Sequence, residues 1–290
     1  MVKQPQRIAI IGAGTMGHGI AQVAALSGYQ VGLFDLTENA LQHALSRVKH
    51  NLEGAVSRNK ITQAEAEEAI THIYCDTALN KVLNEKEFII EAVPENMSLK
   101  KQILSEIDAN SSKDAIIASN TSSLSLTELQ SATQTPHRVI GLHFFNPVHI
   151  MKLVEIVVGA HTAPDVITAS QRFVESLKKQ SIVVKDSPGF ATSRLGITLG
   201  NEAMRMLEEG VATAEDIDLA MELGYRHPIG PLKLSDLVGL DVRLAITEHL
   251  YNELGTDTFK APDILKKLVG NGCLGRKSGQ GFYSYDESSD

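Results

Sequence analysis

The chain has 290 residues, 43% of them apolar and 21% charged, with a net charge of -8 when histidine is neutral; this is the composition of a globular protein with ample core. The acidic balance excludes the concentrated basic surface that nucleic acid demands, and no apolar run approaches the roughly 20 residues that cross a bilayer. Cys75 and Cys273 belong to no metal-type spacing, which points to a reducing, cytoplasmic setting and to no metal site.

Met1-Val2-Lys3 leads almost directly into the apolar run Ile8-Ala9-Ile10-Ile11, so the sequence shows no separate signal segment. That run meets Gly12-Ala13-Gly14-Thr15-Met16-Gly17 and a helical pattern to about Gly28, then a second strand from Gln30 to Phe34 that closes on Asp35. Strand, glycine turn, helix, strand and acid in this order form a dinucleotide-binding βαβ unit. Gly12 permits the tight turn, Gly14 lets backbone approach a pyrophosphate and Gly17 lets helix pack on strand, while unpaired N–H groups at the helix start attract phosphate. A carboxylate at Asp35 accepts hydrogen bonds from the adenosine ribose and repels a 2'-phosphate, so the expected cofactor is NAD rather than NADP.

Beyond Asp35 the pattern is helical from about Glu38 to Asn59, and Thr62-Gln63-Ala64-Glu65 is a capping box for another helix. Strands are expected at Ile73 to Cys75, Phe88 to Ala92, Ala115 to Ala118, Val139 to His143, Leu153 to Val158 and Ile182 to Val184, with helices at about Leu99 to Ile107 and Asp165 to Lys178. This alternation predicts an α/β fold with a Rossmann-type, mostly parallel, doubly wound sheet. At Asp186-Ser187-Pro188-Gly189-Phe190 the strands stop. Helices are expected at Phe190 to Glu209, after Thr213, at Leu234 to Leu254 and at Pro262 to Val269. The division is residues 1–186, binding NAD, and residues 187–290, a smaller all-helical domain for substrate binding and dimerisation, giving a homodimer. The Gly275 to Tyr283 turn, with two cations and two aromatics, is expected to fold back toward the cofactor, and the tail Asp286-Glu287-Ser288-Ser289-Asp290 to be disordered.

Two segments at strand ends carry the candidate chemistry: Ser119-Asn120-Thr121-Ser122-Ser123 and His143-Phe144-Phe145-Asn146-Pro147. Ligands of open α/β sheets bind at the carboxyl ends of strands. Glu155 lies in Met151-Lys152-Leu153-Val154-Glu155-Ile156-Val157-Val158, a run apolar on both faces, where a buried carboxylate needs a partner. The nearest attractive one in sequence is His143. Paired, Glu155 fixes the tautomer of His143, and the imidazole becomes a general base of the kind alcohol oxidation requires. Lys60 and Arg58, at a helix end, offer cations to an anionic ligand.

Together with Glu91-Ala92-Val93-Pro94-Glu95-Asn96, Lys152-Leu153-Val154-Glu155 and the Gly281-Phe282-Tyr283 ending, these motifs closely resemble the L-3-hydroxyacyl-CoA dehydrogenase family over nearly the whole chain, its stand-alone bacterial 3-hydroxybutyryl-CoA branch above all. The resemblance implies oxidation of a short (S)-3-hydroxyacyl-CoA by NAD in a cleft between the domains. It makes His143 the base and Glu155 its orienting partner. By the same resemblance Ser122 holds the 3-oxygen and approaches the nicotinamide, and Asn146 fixes cofactor and histidine. Glu95, Lys100 and Lys277 match NAD contacts, while Lys60 or Arg58 matches a basic site near the CoA nucleotide. One position departs: where the family pattern PGFxxNR has Asn, this chain has Ser193, which reaches less far and offers no amide. The rival readings are a dehydrogenase of a free hydroxy acid or sugar acid, and a non-catalytic nucleotide-binding protein.

Overall fold

The computed structural model describes residues 6–285; the acidic tail lies outside the described residues. Eight apolar runs form one sheet: β1 (Arg7–Ile11), β2 (Gln30–Phe34), β3 (Ile73–Asp76), β4 (Phe88–Glu91), β5 (Ile116–Ser119), β6 (Val139–Phe144), β7 (Leu153–Val158) and β8 (Gln180–Lys185). Their order is β3-β2-β1-β4-β5-β6-β7-β8. Strands β3 to β6 are all parallel, β7 reverses against β6, and β8 runs with β7. Each expected strand is present. The central ones are apolar on both faces because helices cover a parallel sheet; Ile8, Ile10, Leu33, Phe88, Ile90 and Leu142 are all buried.

The helices of this unit are α1 (Thr15–Leu26), α2 (Glu38–Ser57), α3 (Gln63–Thr71), α4 (Leu79–Leu83), α5 (Met97–Asn110), α6 (Leu126–Gln130) and α7 (Pro164–Ser176). In α2 the buried residues Leu41, Ala44, Val48 and Leu52 recur on one face, the stripe that docks an amphipathic helix. The capping box of α3 is formed on both sides, Thr62 accepting from Glu65 N–H and Glu65 accepting from Thr62 N–H. Phe88 stacks on Phe173 of α7 with ring centroids 4.4 Å apart.

Beside the sheet, Arg138 and Asp108 form an ion pair at 2.8 Å whose side chains are each only 4% exposed. Arg138 also donates to the carbonyls of Ala115 and Asp108 at 3.0 Å. Burial raises the Asp108 pKa, but the hydrogen bonds from Thr135, Arg138 and Gln134 outweigh it and hold the carboxyl below its usual value. A depressed carboxylate stabilises above its unfolded pKa, and that contribution is lost as pH falls through the depressed value. Arg138→Met leaves the acid buried without its cation, and is expected to lower stability in urea denaturation at pH 7 by about 3 kcal/mol. The deficit should shrink as pH falls through the depressed Asp108 value, below which the acid is protonated in both proteins.

The compact first unit ends at Ser187 and the second begins at Pro188. The second is helical: α8 (Thr192–Glu208), α9 (Ala214–Leu219), α10 (Pro231–Val238), α11 (Leu240–Leu254) and α12 (Asp263–Gly270). Its centre is Met204, Ile217, Leu232, Leu240 and Leu265. The helix expected from Leu234 to Leu254 is two. Gly239 breaks it with φ +101°, which L side chains rarely adopt.

The Gly275 to Tyr283 turn is pinned to helices of its own unit. Fully buried Asp236 of α10 accepts from Phe282 N–H, Tyr283 N–H and the Tyr285 hydroxyl, each at 3.0 Å. Asp218 of α9 accepts from the Tyr283 hydroxyl at 2.8 Å. Gly281 is required by contact, since a Cβ there would lie 2.1 Å from Asp236 Oδ1.

Candidate active site

The turn after β1 is built by close approach. A Cβ on Gly17 would lie 1.7 Å from the Gly12 carbonyl oxygen, and one on Gly12, whose φ is +106°, would lie 2.7 Å from Ala92 O. These two glycines serve packing. Gly14 is different: its Cβ would meet nothing within 4 Å, so bare backbone faces open space at the start of α1. Asp35, at the end of β2, accepts Ala13 N–H at 2.8 Å and Leu36 N–H at 2.8 Å, which fixes its carboxylate beside the glycine turn. Thr15 and Met16 form the first turn of α1.

The ends of β4 and β5 are tied by acids. Glu91, the last residue of β4, is fully buried. Its Oε1 accepts from Lys100 Nζ at 2.6 Å and Val93 N–H at 2.7 Å, and its Oε2 from the Ser119 hydroxyl at 2.6 Å. Burial pushes the Glu91 carboxyl up, against the Lys100 charge and these donors. Glu95, four residues on, accepts from Thr121 Oγ1 at 2.6 Å, from Ser122 N–H at 2.8 Å and from the Ser122 hydroxyl at 3.1 Å. Burial raises the Glu95 pKa, but the Thr121 hydrogen bond, the Lys100 charge and the backbone donors prevail and lower it. Glu95 is a carboxylate at neutral pH, laid across the Ser122 turn.

At the end of β6, the reversal of β7 creates the central pair. Antiparallel register sets His143 directly opposite Glu155. Glu155 is fully buried, His143 is 7% exposed, and His143 Nδ1 lies 2.7 Å from Glu155 Oε2. The carboxylate only accepts, so Nδ1–H donates to it and Nε2 is the basic nitrogen of the ring. Phe145 packs on the imidazole with centroids 4.4 Å apart. Asn120 accepts Phe144 N–H at 3.0 Å through Oδ1, locking the Ser122 turn to the histidine strand.

Asn146 follows on the loop after β6. It lines a cavity of about 530 Å³ with Thr15 and His18 of α1, Arg47 and His50 of α2, and His149. Burial holds His18 below its usual pKa despite a hydrogen bond to Gly14 O, and burial and the Arg58 charge do the same for His149. Arg58 ends α2, and Lys60 is exposed in the turn beyond it. Ser193 lies in the first turn of α8 and Lys277 pairs with Asp241 at 2.5 Å, both within the helical unit. Among the described residues no group of three His, Cys, Asp or Glu could hold a metal, and no helix is long and apolar enough to cross a membrane.

Glu91 and Asn120 were not singled out from sequence. The signal for Glu91 was available: like Glu155, it is a lone acid in an apolar strand run, Phe88 to Ala92.

Comparison with known families accounts for both units. The 3-hydroxyacyl-CoA dehydrogenase NAD-binding domain matches residues 7–187, and the C-terminal domain of the same family matches residues 189–285. The chain belongs to the 3-hydroxyacyl-CoA dehydrogenase family. A 3-hydroxybutyryl-CoA dehydrogenase from Clostridioides difficile is 42% identical over 97% of this chain and 100% of its own. The crystal structure of an (S)-3-hydroxybutyryl-CoA dehydrogenase from Ralstonia eutropha superposes with a TM-score of 0.95 at 40% identity, covering 98% of this chain and 100% of that one. A 3-hydroxyadipyl-CoA dehydrogenase from Escherichia coli is 37% identical over 98% of this chain, which spans 60% of that longer protein. NAD is the cofactor of this dehydrogenase. The residues present fit it: exposed backbone at Gly14, free of any side chain that a Cβ would meet, stands beside a carboxylate that a 2'-phosphate would oppose.

Proposed function

We propose that this NAD-dependent 3-hydroxyacyl-CoA dehydrogenase acts on short chains, 3-hydroxybutyryl-CoA first, with His143 and Glu155 as its acid–base pair. The observation that carries the chemistry is the cross-strand bond of 2.7 Å between His143 Nδ1 and a fully buried Glu155. The chain length rests on relatives that act on the four-carbon thioester and share 40% identity or more across nearly the full chain.

Gly14, Thr15 and Met16 hold the pyrophosphate on a turn whose close packing Gly12 and Gly17 permit, and Asp35 holds the adenosine ribose. Ser122, Glu95 and Asn146 line the nicotinamide end, with Lys277 and Lys100 as further candidates taken from the family pattern. When bound, NAD supplies the hydride acceptor. His143 Nε2 takes the proton of the C3 hydroxyl as that carbon is oxidised, and Glu155 stabilises the imidazolium that results. In the reverse direction protonated His143 returns the proton to the C3 oxygen. Ser122 holds that oxygen, and Ser193 is a second candidate to do so through a shorter side chain than Asn. Arg58 and Lys60 offer charge to the CoA phosphates.

The test is turnover across a chain-length series of 3-oxoacyl-CoA esters beside free acetoacetate. The four-carbon ester should give the highest kcat/KM and the free acid none. A maximum at longer chains would refute the short-chain reading, and equal rates with the free acid would favour the rival hydroxy-acid dehydrogenase. Asp35→Ser removes the charge that opposes a 2'-phosphate and is expected to narrow the preference for NADH over NADPH by about 10-fold or more, measured as a ratio of kcat/KM values.

The protein is proposed to work in the cytoplasm as a homodimer. The helical unit leaves Leu195, Leu223, Tyr225 and Leu237 between 54% and 76% exposed, apolar side chains that a second copy would cover. Light scattering should give twice the chain mass.

A further inference from the structure

Arg243 of α11 is a buried cation that the helical unit leaves without a counter-charge. It is 5% exposed, and burial alone pulls its pKa down to about 10, which keeps it charged at neutral pH. A guanidinium carries five N–H donors. Among the described residues one acceptor meets them, the Gly196 carbonyl, which takes Nη2–H at 2.9 Å, and Nε is buried with no partner. Further along the same pair of helices the shortage repeats. Thr247 donates to Asn201 Oδ1 at 3.4 Å, while Asn201 Nδ2 is buried with no partner. Both gaps are donors, so what α8 and α11 lack is an acceptor, and the acceptor that answers a buried arginine is an anion.

The sequence makes room for this side chain. A Cβ on Gly200 would lie 1.7 Å from Arg243 Nη2 and 2.9 Å from its Cζ, and one on Gly196 would lie 3.8 Å from Nη1. Gly196 and Gly200 follow Ser193 by three and seven residues, which sets all three along one face of α8. Ser193 stands where the family pattern has Asn, and it is the helical unit's candidate to hold the substrate's C3 oxygen. Three residues of helix rise separate it from Gly196, about 4.5 Å. In an unbranched acyl chain C3 and C6 are separated by three carbon–carbon bonds of about 1.5 Å each, a span of about 4 Å. A carboxylate at C6 therefore reaches the distance at which the guanidinium lies, and a carboxylate is the group that a guanidinium meets with paired N–H donors. A four-carbon chain ends short of it.

We propose that Arg243 is a specificity-determining residue that binds the terminal carboxylate of a dicarboxylic 3-oxoacyl-CoA of about six carbons, while Ser193 meets the C3 oxygen of the same chain. This adds a second substrate class to the site and rests on the reading that the protein reduces 3-oxoacyl-CoA esters with Ser193 beside the substrate.

The experiment compares kcat/KM for 3-oxoadipyl-CoA and 3-oxohexanoyl-CoA, six-carbon esters that differ by a carboxylate at the chain end, in the wild type and in Arg243→Met. Effects on folding and on the chemical step cancel in the ratio, so a role in packing alone would not move it. The wild type should favour the charged ester by about 10-fold or more, and Arg243→Met, which keeps a long stem without charge, should bring the ratio to within about 2-fold of unity or invert it. Equal rates with the two esters in the wild type, no rate with either, or a preference that survives Arg243→Met would each overturn the proposal. If Arg243→Met does not fold, inhibition of the wild type by adipyl-CoA and hexanoyl-CoA decides: adipyl-CoA should bind about 10-fold tighter or more, and equal inhibition constants would overturn it. A wild type indifferent to the two esters whose melting temperature rises with added formate, when that of Arg243→Met does not, would hold a free anion there instead, and the proposal falls. Acetoacetyl-CoA separates the two readings. If it too is left unreduced, the assigned reaction fails and this inference with it; if it is reduced while the six-carbon esters react alike, only this inference fails.

Discussion

His143→Gln is expected to lower kcat by about 10² to 10⁴-fold, while NADH binds with near wild-type affinity. The size follows from what is removed. Glutamine keeps a donor toward Glu155 but has no basic nitrogen, so the C3 hydroxyl proton must leave to water. NADH affinity survives because no cofactor-binding backbone depends on the imidazole: the glycine turn is held by Phe34 O accepting Gly12 N–H at 2.9 Å and by Asp35 accepting Ala13 N–H at 2.8 Å. Glu155→Gln should act in the same direction with a smaller effect, at least about 10-fold, since it leaves the base in place but offers the imidazolium no charge. Rapid-mixing kinetics and NADH titration read the two quantities separately. Turnover of His143→Gln within 3-fold of the wild type would remove His143 from the mechanism.

The second large effect is steric. Gly17→Ala puts a methyl 1.7 Å from the Gly12 carbonyl oxygen and 2.8 Å from its carbon. Both obstacles are backbone, so helix and turn must part. The expected result is a loss of about 3 kcal/mol or more in stability and of about 10²-fold in NADH affinity. Gly14→Ala provides the contrast. Its methyl touches nothing in the protein, and Gly14 has φ -66°, open to any residue. The melting temperature should stay within about 2 °C of the wild type, and only NADH binding should weaken. A Gly14→Ala protein that binds NADH normally would show that no ligand approaches that backbone.

The contrast between these two glycines also shows how far residues can be read without coordinates. The strand-turn-helix order gave the sheet its start, and all eight strands were legible because buried parallel strands are continuous apolar runs bounded by turn residues. The short helices α4 and α6, each of five residues, were not legible, since less than two turns shows no periodicity. Gly239 hid inside a helical pattern because α11 resumes at the very next residue, so the break left no gap in the apolar spacing. The anchoring of the C-terminal turn was not legible for another reason. Its partners, Asp218 and Asp236, stand 65 and 46 residues before the Tyr283 and Phe282 groups they bind, and nothing local marks them. For the site, Glu155 attracted notice as a lone acid in an apolar run. The same pattern at Glu91 needed Lys100, nine positions on, to acquire meaning, and a helix has to start at Asn96 before that lysine can reach it.

The central claim is most directly tested by following NADH oxidation at 340 nm with acetoacetyl-CoA as substrate. The account predicts rapid turnover with NADH, far slower turnover with NADPH and none when free acetoacetate replaces the thioester. Protein that demonstrably binds NADH yet leaves acetoacetyl-CoA unreduced would contradict it.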